Sequence, residues 1–233
     1  MASSRNVDNF RVDLRKPLGE GTFGLVYMAT DRRNGNRVAA KLVNLSGEKE
    51  HEQFSLNEVL AHQAAKDHPN LVRMIHHKLD RKKKELWLFT EYCHHGNLEE
   101  FVKKNPLDLE TVLKIMHDCS CGLDFMNNRM DGNVIHRDVK PGNILLTTEN
   151  GQLVAKLADF GLAKVLSPFE RNTRTGLGTL LFMAPEFFKG TVIYNKTIDT
   201  FALGIVLLQL LMVLLTGKRD MNDKQGKSIV NVP

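Results

Sequence analysis

A short polar segment of this chain brings together three side chains with complementary chemistry. Residues 135–143 read IHRDVKPGN and include Asp138, Lys140 and Asn143. Asp138 can accept or orient the proton of a hydroxyl group, while Lys140 can offset negative charge on a phosphoryl group that is being transferred. Asn143 can bind a metal ion through its amide oxygen. The segment therefore indicates phosphoryl transfer.

A second carboxylate follows in residues 158–161, which read ADFG. Mg²⁺ prefers one or two protein oxygens together with phosphate oxygens, so Asp159 and Asn143 are a suitable pair of ligands. Either loop by itself could be an ordinary surface turn. Their occurrence together, in this order, favours one site that binds a phosphate-bearing ligand and Mg²⁺.

Residues 19–26 read GEGTFGLV and fit the pattern G-x-G-x-x-G-x-V. The glycines alone are a weak signal, because dinucleotide-binding folds carry a similar pattern between a strand and a helix. Here β-like sequence lies on both sides, which favours a hairpin whose glycines let backbone N–H groups approach phosphates. The alternative is an ordinary glycine-rich turn.

Lys41 lies at the end of a β-like run that reads VAAK. A lysine in a strand usually faces solvent, but this one could instead point inward toward phosphates. An inward lysine needs an anionic partner to fix its direction, because its side chain is flexible. Glu58 is the candidate partner, although it could equally be a solvated carboxylate on a helix.

The elements that must position these residues change in character along the chain. Five β-like runs are predicted at residues 12–18, 25–30, 37–43, 72–79 and 86–92. Asn34-Gly35 predicts a hairpin turn, and a helix is predicted over 48–66. After Gly96 the sequence becomes helical. From Leu109 onward one apolar face is predicted from residues at helical spacing: Val112, Leu113, Met116, Leu123 and Met126. Short strand-like runs follow.

We therefore predict an α+β fold with two lobes. Residues 1–92 form a small antiparallel β lobe with one helix, which binds the phosphate-bearing ligand. Residues 93–233 form a mainly α-helical catalytic lobe. The lobe boundary is placed near 93–96, where strand signals give way to helical ones.

The bulk composition excludes several classes of protein. The net charge is +5, with 42% hydrophobic and 25% charged residues, as in soluble globular proteins. The basic residues are dispersed, so nucleic-acid binding is not expected. Three cysteines without a metal-ligand pattern and a start without an apolar segment favour a reducing, cytoplasmic location. Residues 200–217 carry no charge and are long enough either for a membrane span or for a fully buried helix.

The motifs together resemble the eukaryotic protein kinase family from about residue 12 to residue 217. Further segments match the family in order: 68–72 (HPNLV), 91–93 (EYC) and 183–186 (MAPE). The resemblance implies a two-lobed kinase fold that uses ATP and Mg²⁺ and phosphorylates protein substrates. It also implies that 200–217 is the central core helix of the large lobe, so no membrane association is expected.

By this resemblance, Lys41 binds the α- and β-phosphates of ATP and pairs with Glu58. Asp138 is the catalytic base, Lys140 assists it, and Asn143 and Asp159 bind Mg²⁺. The adenine ring binds the hinge backbone near Glu91 and Cys93, with Thr90 as the gatekeeper. The other expected ATP contacts are Leu18, Gly19, Gly21, Gly24, Val26 and Ala39.

The resemblance extends to specificity and regulation. Lys140 and Thr179 match the serine/threonine branch of the family. Arg137, next to the base, implies control by a phosphate on the activation loop, and Thr175 has the usual spacing for that site. An upstream kinase is then an expected partner. Alternatively, Thr175 is a solvated loop residue, and its replacement by alanine would leave activity unchanged.

Two structural residues follow from the resemblance, together with several departures from it. Asp199 is expected to bind the backbone of the catalytic loop. In the family, a glutamate at the position of Glu186 pairs with an arginine from the last helices, and this partner is expected to be missing here. Residues 218–233 are polar, and the family's last helices have no counterpart in them. The large lobe is thus expected to lack those helices, leaving the apolar run without cover. A weakly active or inactive ATP-binding or regulatory module is the alternative function.

Two smaller departures concern single positions. Phe182 stands where serine/threonine kinases usually carry tyrosine. His62 stands where an apolar residue of the kinase interior is usual. His62 in particular is expected to affect how tightly the active state of a kinase assembles.

Overall fold

The structure is a computed structural model that describes residues 3–21, 24–45, 58–63, 65, 68–129, 134–160, 163–165, 180–188, 195–219 and 221. Its N-terminal part is an antiparallel six-stranded sheet with strand order β1-β2-β3-β4-β6-β5. The strands are β1 (Ser4–Val7), β2 (Phe10–Gly21), β3 (Gly24–Asp31), β4 (Arg37–Asn44), β5 (Met74–Asp80) and β6 (Glu85–Glu91). The predicted small antiparallel lobe is confirmed.

Strand β4 runs through the middle of this sheet and has two covered faces. Successive side chains of a strand point to opposite sides. Val38 and Ala40 are buried on one side, in a cluster that includes Phe10 and Phe89. Lys41 belongs to the other side and is also buried. The strand thereby carries a lysine into the interior, where only an ionic partner can compensate its charge.

The β3–β4 connection is a tight turn of the kind that the sequence predicts. Gly35 has a φ of +76°, in the left-handed region that glycine adopts without steric cost. Its N–H donates to the carbonyl of Asp31 at 2.7 Å. The turn sets the register in which Lys41 lies opposite Val26 of β3.

The predicted strands agree with the structure to within a few residues, with one omission. Strand β1 was not predicted; it pairs with β2, and its Val7 is buried. Of the predicted helix over 48–66, residues 58–63 and 65 are helical, and the earlier part lies outside the described residues. β6 ends at Glu91, so the predicted domain boundary between residues 92 and 93 falls just beyond the sheet and stays a prediction.

Within its described residues, the second part of the chain is built around three α-helices, α1 (Leu98–Lys104), α2 (Leu109–Asp124) and α3 (Thr197–Thr216). The side chains of Asn97 and Asp108 cap α1 and α2 by accepting hydrogen bonds from backbone N–H groups of the first turn. A π-helical turn, Phe125–Arg129, follows α2. Two antiparallel strand pairs complete this part. They are β7 (Val134–Ile135) with β10 (Lys164–Val165), and β8 (Ile144–Glu149) with β9 (Gln152–Leu157).

The buried face of α2 includes most of the predicted residues, but one of them is exposed and two others are buried. Val112, Leu123 and Met126 are buried as predicted, and Met116 is partly buried. Leu113 is 57% exposed, so its assignment to the buried face is wrong. Ile115 and Cys119 belong to the buried face instead. At 100° per residue, Leu113 is turned away from the stripe that Ile115 and Cys119 define.

Helix α3 has one buried face and one exposed apolar face. Val206 and Leu210 are fully buried in the core of the second lobe. The exposed large apolar side chains of the helix are Phe201, Leu208, Met212 and Leu215. Among the described residues, α3 is long and apolar enough to cross a membrane, and 39% of its most apolar window is buried. The expected lack of cover over this run stays a prediction.

Candidate active site

Lys41 of β4 stands at the centre of a buried ionic cluster. Its Nζ lies 2.8 and 3.0 Å from the two carboxylate oxygens of Glu58, and 2.7 Å from Oδ1 of Asp159. Glu58 comes from the helical segment 58–63, and Asp159 follows β9. All three side chains are largely withdrawn from water. The cluster therefore joins the sheet, the helical segment and the second lobe through one ammonium group.

The charges of this cluster favour a permanently cationic lysine. Burial by itself would lower the pKa of Lys41, but the nearby carboxylates of Glu58 and Asp159 raise it above its ordinary value. The ammonium is thus charged throughout the physiological pH range. A fixed buried cation of this kind is suited to binding phosphate oxygens.

Asp199, in the first turn of α3, holds the catalytic loop 135–143 in place. Asp199 is 1% exposed. Its carboxylate accepts hydrogen bonds from the backbone N–H groups of His136 at 2.8 Å and Arg137 at 2.9 Å. The side-chain amide of Asn127 donates to the same carboxylate at 3.2 Å. Asp199 thus makes the backbone contact that the resemblance implies.

Asp138 is oriented by two neighbours from the same loop. The side-chain amide of Asn143 donates to Oδ2 of Asp138 at 2.9 Å and to its backbone carbonyl at 2.8 Å. The Nζ of Lys140 lies 2.8 Å from the same Oδ2. These contacts fix the direction of the carboxylate and place a positive charge beside it. A hydroxyl group approaching Asp138 would meet both an acceptor for its proton and a cation for the adjacent negative charge.

Two residues of the site have unusual backbone conformations. Arg137 has a φ of +67° and Asp159 a φ of +63°, both in the left-handed region. For side chains other than glycine this costs of order 1–3 kcal/mol, and such strain is found mainly where function requires it. Arg137 directly precedes Asp138, and Asp159 directly contacts Lys41. The strain therefore falls on the residues that aim the candidate catalytic groups.

Phe160 connects the two halves of the site through ring contacts. It is fully buried and meets His62 edge-on, with ring centroids 4.5 Å apart, and His136 at 5.5 Å. The expected departure at His62 is thus accommodated in the core. Burial, followed by the charge of Lys41, lowers the pKa of His62 to about 3, so the ring is neutral. Its Nδ1 has no hydrogen-bond partner among the described residues.

A cavity of about 340 Å³ opens beside Lys41, between the sheet and the second lobe. It is lined by the following residues that the sequence predicts to bind ATP, to bind metal or to act in catalysis: Leu18, Gly19, Val26, Ala39, Lys41, Glu58, Thr90, Glu91, Cys93, Asn143 and Asp159. Segments far apart in the chain therefore converge on one space. Such a cavity, apolar with a few convergent polar groups, is typical of a small-molecule site.

Two further glycines that the sequence predicts to bind ATP lie in the β2–β3 hairpin. Gly21 and Gly24 face each other across the β2–β3 turn, and Gly24 does not line the cavity. A Cβ on Gly24 would lie 2.0 Å from the carbonyl oxygen of Leu42, so the close approach of β3 to β4 requires glycine there. Thr175 and Thr179 lie outside the described residues.

Several residues that line the cavity were not predicted. Val72, Leu88 and Leu145 add apolar surface, while His94, His95 and Glu100 follow the hinge. Leu145 comes two residues after Asn143, at the start of β8, and its closeness in the sequence to a predicted metal ligand could have indicated it. The two histidines carry no comparable signal, because their position depends on the path from β6 to α1.

The donor set fits a magnesium ion whose coordination is completed by the ligand. Ala158 donates its N–H to the carbonyl of Asn143 at 2.9 Å, which holds Asn143 next to the segment that carries Asp159. Both side chains offer hard oxygen atoms. Among the described residues, no group of three or more His, Cys, Asp or Glu side chains could hold a metal. Phosphate and water oxygens would have to supply the other ligands, as Mg²⁺ prefers.

Glu186 and Phe182 lie on the far side of the catalytic loop. Phe182 is buried and lines a very small cavity together with Arg137 and Asp138. Glu186 is half-buried and accepts a hydrogen bond of 3.4 Å from the Thr197 hydroxyl. Within the described part of the chain it forms no ion pair with an arginine.

The geometry suits the binding of a phosphate-bearing ligand in a two-lobed fold, and the comparison with known families agrees. The protein kinase domain family matches residues 12–232. The chain therefore belongs to the protein kinase family. The resemblance drawn from the motifs is confirmed, as is the α+β fold.

Individual relatives cover most of this chain but only part of their own length. Mouse Aurora kinase B is 33% identical over 208 residues, which are 88% of this chain and 56% of that protein. Mouse serine/threonine-protein kinase Nek5 is 35% identical over 88% of this chain and 31% of its own. Human myosin-IIIa is 32% identical over 85% of this chain and 12% of its own. The chain thus spans well under two thirds of each of these relatives.

Proposed function

We propose that this chain is a serine/threonine protein kinase that transfers the γ-phosphoryl group of ATP to hydroxyl groups of protein substrates. The observation that carries the proposal is the simultaneous contact of Lys41 with Glu58 and Asp159 on the wall of a 340 Å³ cavity. A lysine held in this way presents a fixed positive charge to phosphate oxygens. The adenine ring would lie near Thr90, Glu91 and Cys93.

The chain's own residues would divide the work of transfer as follows. Asp138, aimed by Asn143 and Lys140, accepts or orients the proton of the substrate hydroxyl. Lys140 then offsets charge near the transferred group. Asn143 and Asp159 would hold Mg²⁺, which when bound neutralises charge on the phosphates. In a loose phosphoryl-transfer transition state, such positioning and charge compensation supply most of the catalysis.

Serine and threonine are the proposed acceptors for two reasons. Lys140 contacts the carboxylate of Asp138, the proposed acceptor of the substrate proton, and it belongs to the loop type typical of the serine/threonine branch. Among the relatives, Nek5 is named a serine/threonine-protein kinase. Substrates and an upstream kinase acting on Thr175 remain part of this proposal, as do a cytoplasmic location and the absence of nucleic-acid and membrane partners.

A second candidate is an ATP-binding regulatory module with little transferase activity. The exposed apolar side chains of α3, including Leu208, Met212 and Leu215, favour it. An apolar surface on the helix that anchors the catalytic loop is suited to binding another protein. Such a partner would then be needed to stabilise the second lobe.

The two candidates differ in phosphate transfer. Radiolabelled ATP and a mixture of unmodified proteins would be incubated with the wild-type chain, with Asp138→Asn and with Asp13→Asn, followed by phosphoamino-acid analysis. Asp13 pairs with Arg15 on the exposed surface and serves as the matched control. We expect phosphoserine and phosphothreonine from wild type and Asp13→Asn, and about 100-fold less from Asp138→Asn. Equal incorporation by wild type and Asp138→Asn would refute the kinase proposal. Nucleotide binding without transfer would support the second candidate.

A further inference from the structure

Lys156 is a buried cation outside the catalytic cluster. It lies on β9, three residues before Asp159, and is 4% exposed. Its Nζ lies 3.0 and 3.1 Å from the two carboxylate oxygens of Glu91, and 2.7 Å from Oε1 of Glu149. One ammonium thus joins the hinge to the hairpin of β8 and β9. The sequence motifs do not involve this residue.

Glu91 is held on its remaining sides as well. Its backbone N–H donates to the carbonyl of Arg73 at 3.0 Å, and its Oε1 accepts a hydrogen bond from the backbone N–H of Arg73 at 2.8 Å. It also pairs with Val38 in the register of β4 and β6. Glu91 therefore has its backbone and its carboxylate fixed at the last residue of β6, where the chain leaves the sheet and passes along the cavity.

The ion pair between Lys156 and Glu91 is largely withdrawn from water, so its loss would cost free energy. Burial disfavours the ammonium, but the hydrogen bond with Glu149 and the charge of Glu91 outweigh it and raise the pKa of Lys156. The lysine therefore remains charged. Removing it would leave the Glu91 carboxylate without its charged partner beside the cavity, and Glu91 would turn toward water to regain solvation.

We propose that Lys156 is a positioning residue for nucleotide binding: by holding the carboxylate of Glu91, it fixes the hinge peptides of residues 91–93 that line the cavity. This rests on the proposed function, since the ligand of that cavity is taken to be ATP. Hydrogen bonds to a ligand are strongest when the protein groups are already in place, because no ordering has to accompany binding. Lys156 provides that order without touching the ligand.

The alternative is that Lys156 only stabilises the fold. Glu149 distinguishes the two, because it contacts the same ammonium but lies at the end of β8, and its side chain is 43% exposed. If Lys156 serves only the fold, replacing Glu91 and replacing Glu149 should change the Kd for the nucleotide to a similar extent. If Lys156 positions the hinge, only the replacement of Glu91 should raise that Kd.

The experiment measures the Kd of a fluorescent ATP analogue, together with KM for ATP and kcat, for the whole chain. The variants are Lys156→Met, Lys156→Arg, Glu91→Gln and Glu149→Gln, each checked by circular dichroism. We expect Lys156→Met and Glu91→Gln to raise Kd and KM about tenfold with kcat within about twofold of wild type. Glu149→Gln is expected to leave Kd unchanged, and Lys156→Arg to keep most of the affinity because it retains the charge.

Three results would overturn the inference. They are an unchanged Kd in folded Lys156→Met, a loss of kcat with unchanged KM, and an equal effect of Glu91→Gln and Glu149→Gln. If Lys156→Met does not fold, Lys156→Gln takes its place, because it removes the charge but keeps a polar side chain. A wild-type chain that binds no nucleotide would contradict the proposed function. Tight binding by wild type and by both Lys156→Met and Glu91→Gln would contradict only the role of Lys156.

Discussion

The ammonium of Lys41 lies 2.7 Å from Oδ1 of Asp159, although the two residues are 118 positions apart in the chain. Lys41 belongs to the central strand of the sheet, and Asp159 to the segment that follows β9 in the second lobe. Glu58 completes the cluster from a third element. The relative placement of the lobes is thus coupled to one buried cation, and a change at that cation affects both stability and chemistry.

Replacement of Lys41 by methionine should impair both properties. Glu58 and Asp159 would lose their shared partner inside the protein, which costs about 3 kcal/mol of unfolding free energy. Phosphate transfer should fall at least about 100-fold because a fixed charge on the phosphates is lost. Urea denaturation and a transfer assay measure the two effects.

The double variant Lys41→Met with Glu58→Gln tests whether the two residues are energetically coupled. It removes one of the stranded charges, so it should be less destabilised than the sum of the single variants. Lys78→Met, at a half-exposed surface ion pair with Asp8, is the control and should change stability by less than about 0.5 kcal/mol. Additive effects at positions 41 and 58 would contradict the coupling.

Asp199 should be essential for the catalytic loop. In Asp199→Ala, the N–H groups of His136 and Arg137 lose their acceptor, and we expect about 3 kcal/mol less stability and a strong loss of transfer. Asp80 is a matched control, because it also accepts two backbone hydrogen bonds but stands in an exposed turn. Asp80→Ala should cost less than about 1 kcal/mol and leave transfer intact. Similar losses in the two variants would show that burial of the acceptor is unimportant.

Two glycines of the same hairpin should respond differently to alanine. A Cβ at position 24 would meet the carbonyl oxygen of Leu42 at 2.0 Å, whereas a Cβ at Gly19 would meet no atom within 4 Å. Gly24→Ala should therefore destabilise the chain by roughly 2 kcal/mol through displacement of β3 from β4. Gly19→Ala should be nearly neutral toward urea. Equal unfolding midpoints would contradict the close packing at Gly24.

The cysteines should differ in reactivity. Burial, more than the neighbouring carboxylates, raises the pKa of both Cys93 and Cys119 to about 12, so their thiols stay protonated below that pH. Cys121 is partly exposed. Iodoacetamide at pH 8 should label Cys121 alone in the folded chain and all three residues in urea, as read by mass spectrometry. Rapid labelling of Cys93 in the folded chain would contradict the burial of this thiol.

His62 should make the chain sensitive to acid. Its pKa is about 3 in the folded state and 6.5 in the absence of burial, so the unfolded state binds the extra proton below pH 6.5. Stability conferred by the neutral ring is therefore complete above pH 6.5 and decreases as the pH falls toward 3. Between pH 7 and 5.5, wild type should lose about 1 kcal/mol more than His62→Leu.

The His62→Leu variant also tests whether the buried Nδ1 of His62 lowers the stability of the chain at neutral pH. His62→Leu removes the buried Nδ1 that has no hydrogen-bond partner among the described residues, so it should be as stable as wild type or more so at pH 7. His117→Gln, at a side chain that is 73% exposed, is the control and should retain the wild-type pH dependence. Parallel pH profiles for wild type and His62→Leu would show that His62 does not titrate as described.

Local patterns were sufficient for much of the fold because they reflect local constraints. Alternation and the turn at Asn34-Gly35 located the central strands, since a tight turn and a pleated strand each depend on a few neighbouring residues. Strand β1 was missed because a four-residue edge strand has too short a pattern to be recognised. Leu113 was assigned to the buried face because it is apolar, although at 100° per residue it lies beyond the edge of the stripe that the other residues define.

The sequence by itself determined the types and the order of the catalytic groups, from the glycine-rich hairpin through Asp138 to Asp159, and with them the family. Their distances were decided only by the tertiary structure, because the side chains come from separate strands, helices and loops. The role of Lys156 also depends on folding. In the sequence it is one basic residue among 32 lysines and arginines, and only the pairing of β8 with β9 beside the hinge places it against Glu91. A charged side chain interacts with specific partners when burial removes the water molecules that would otherwise solvate it.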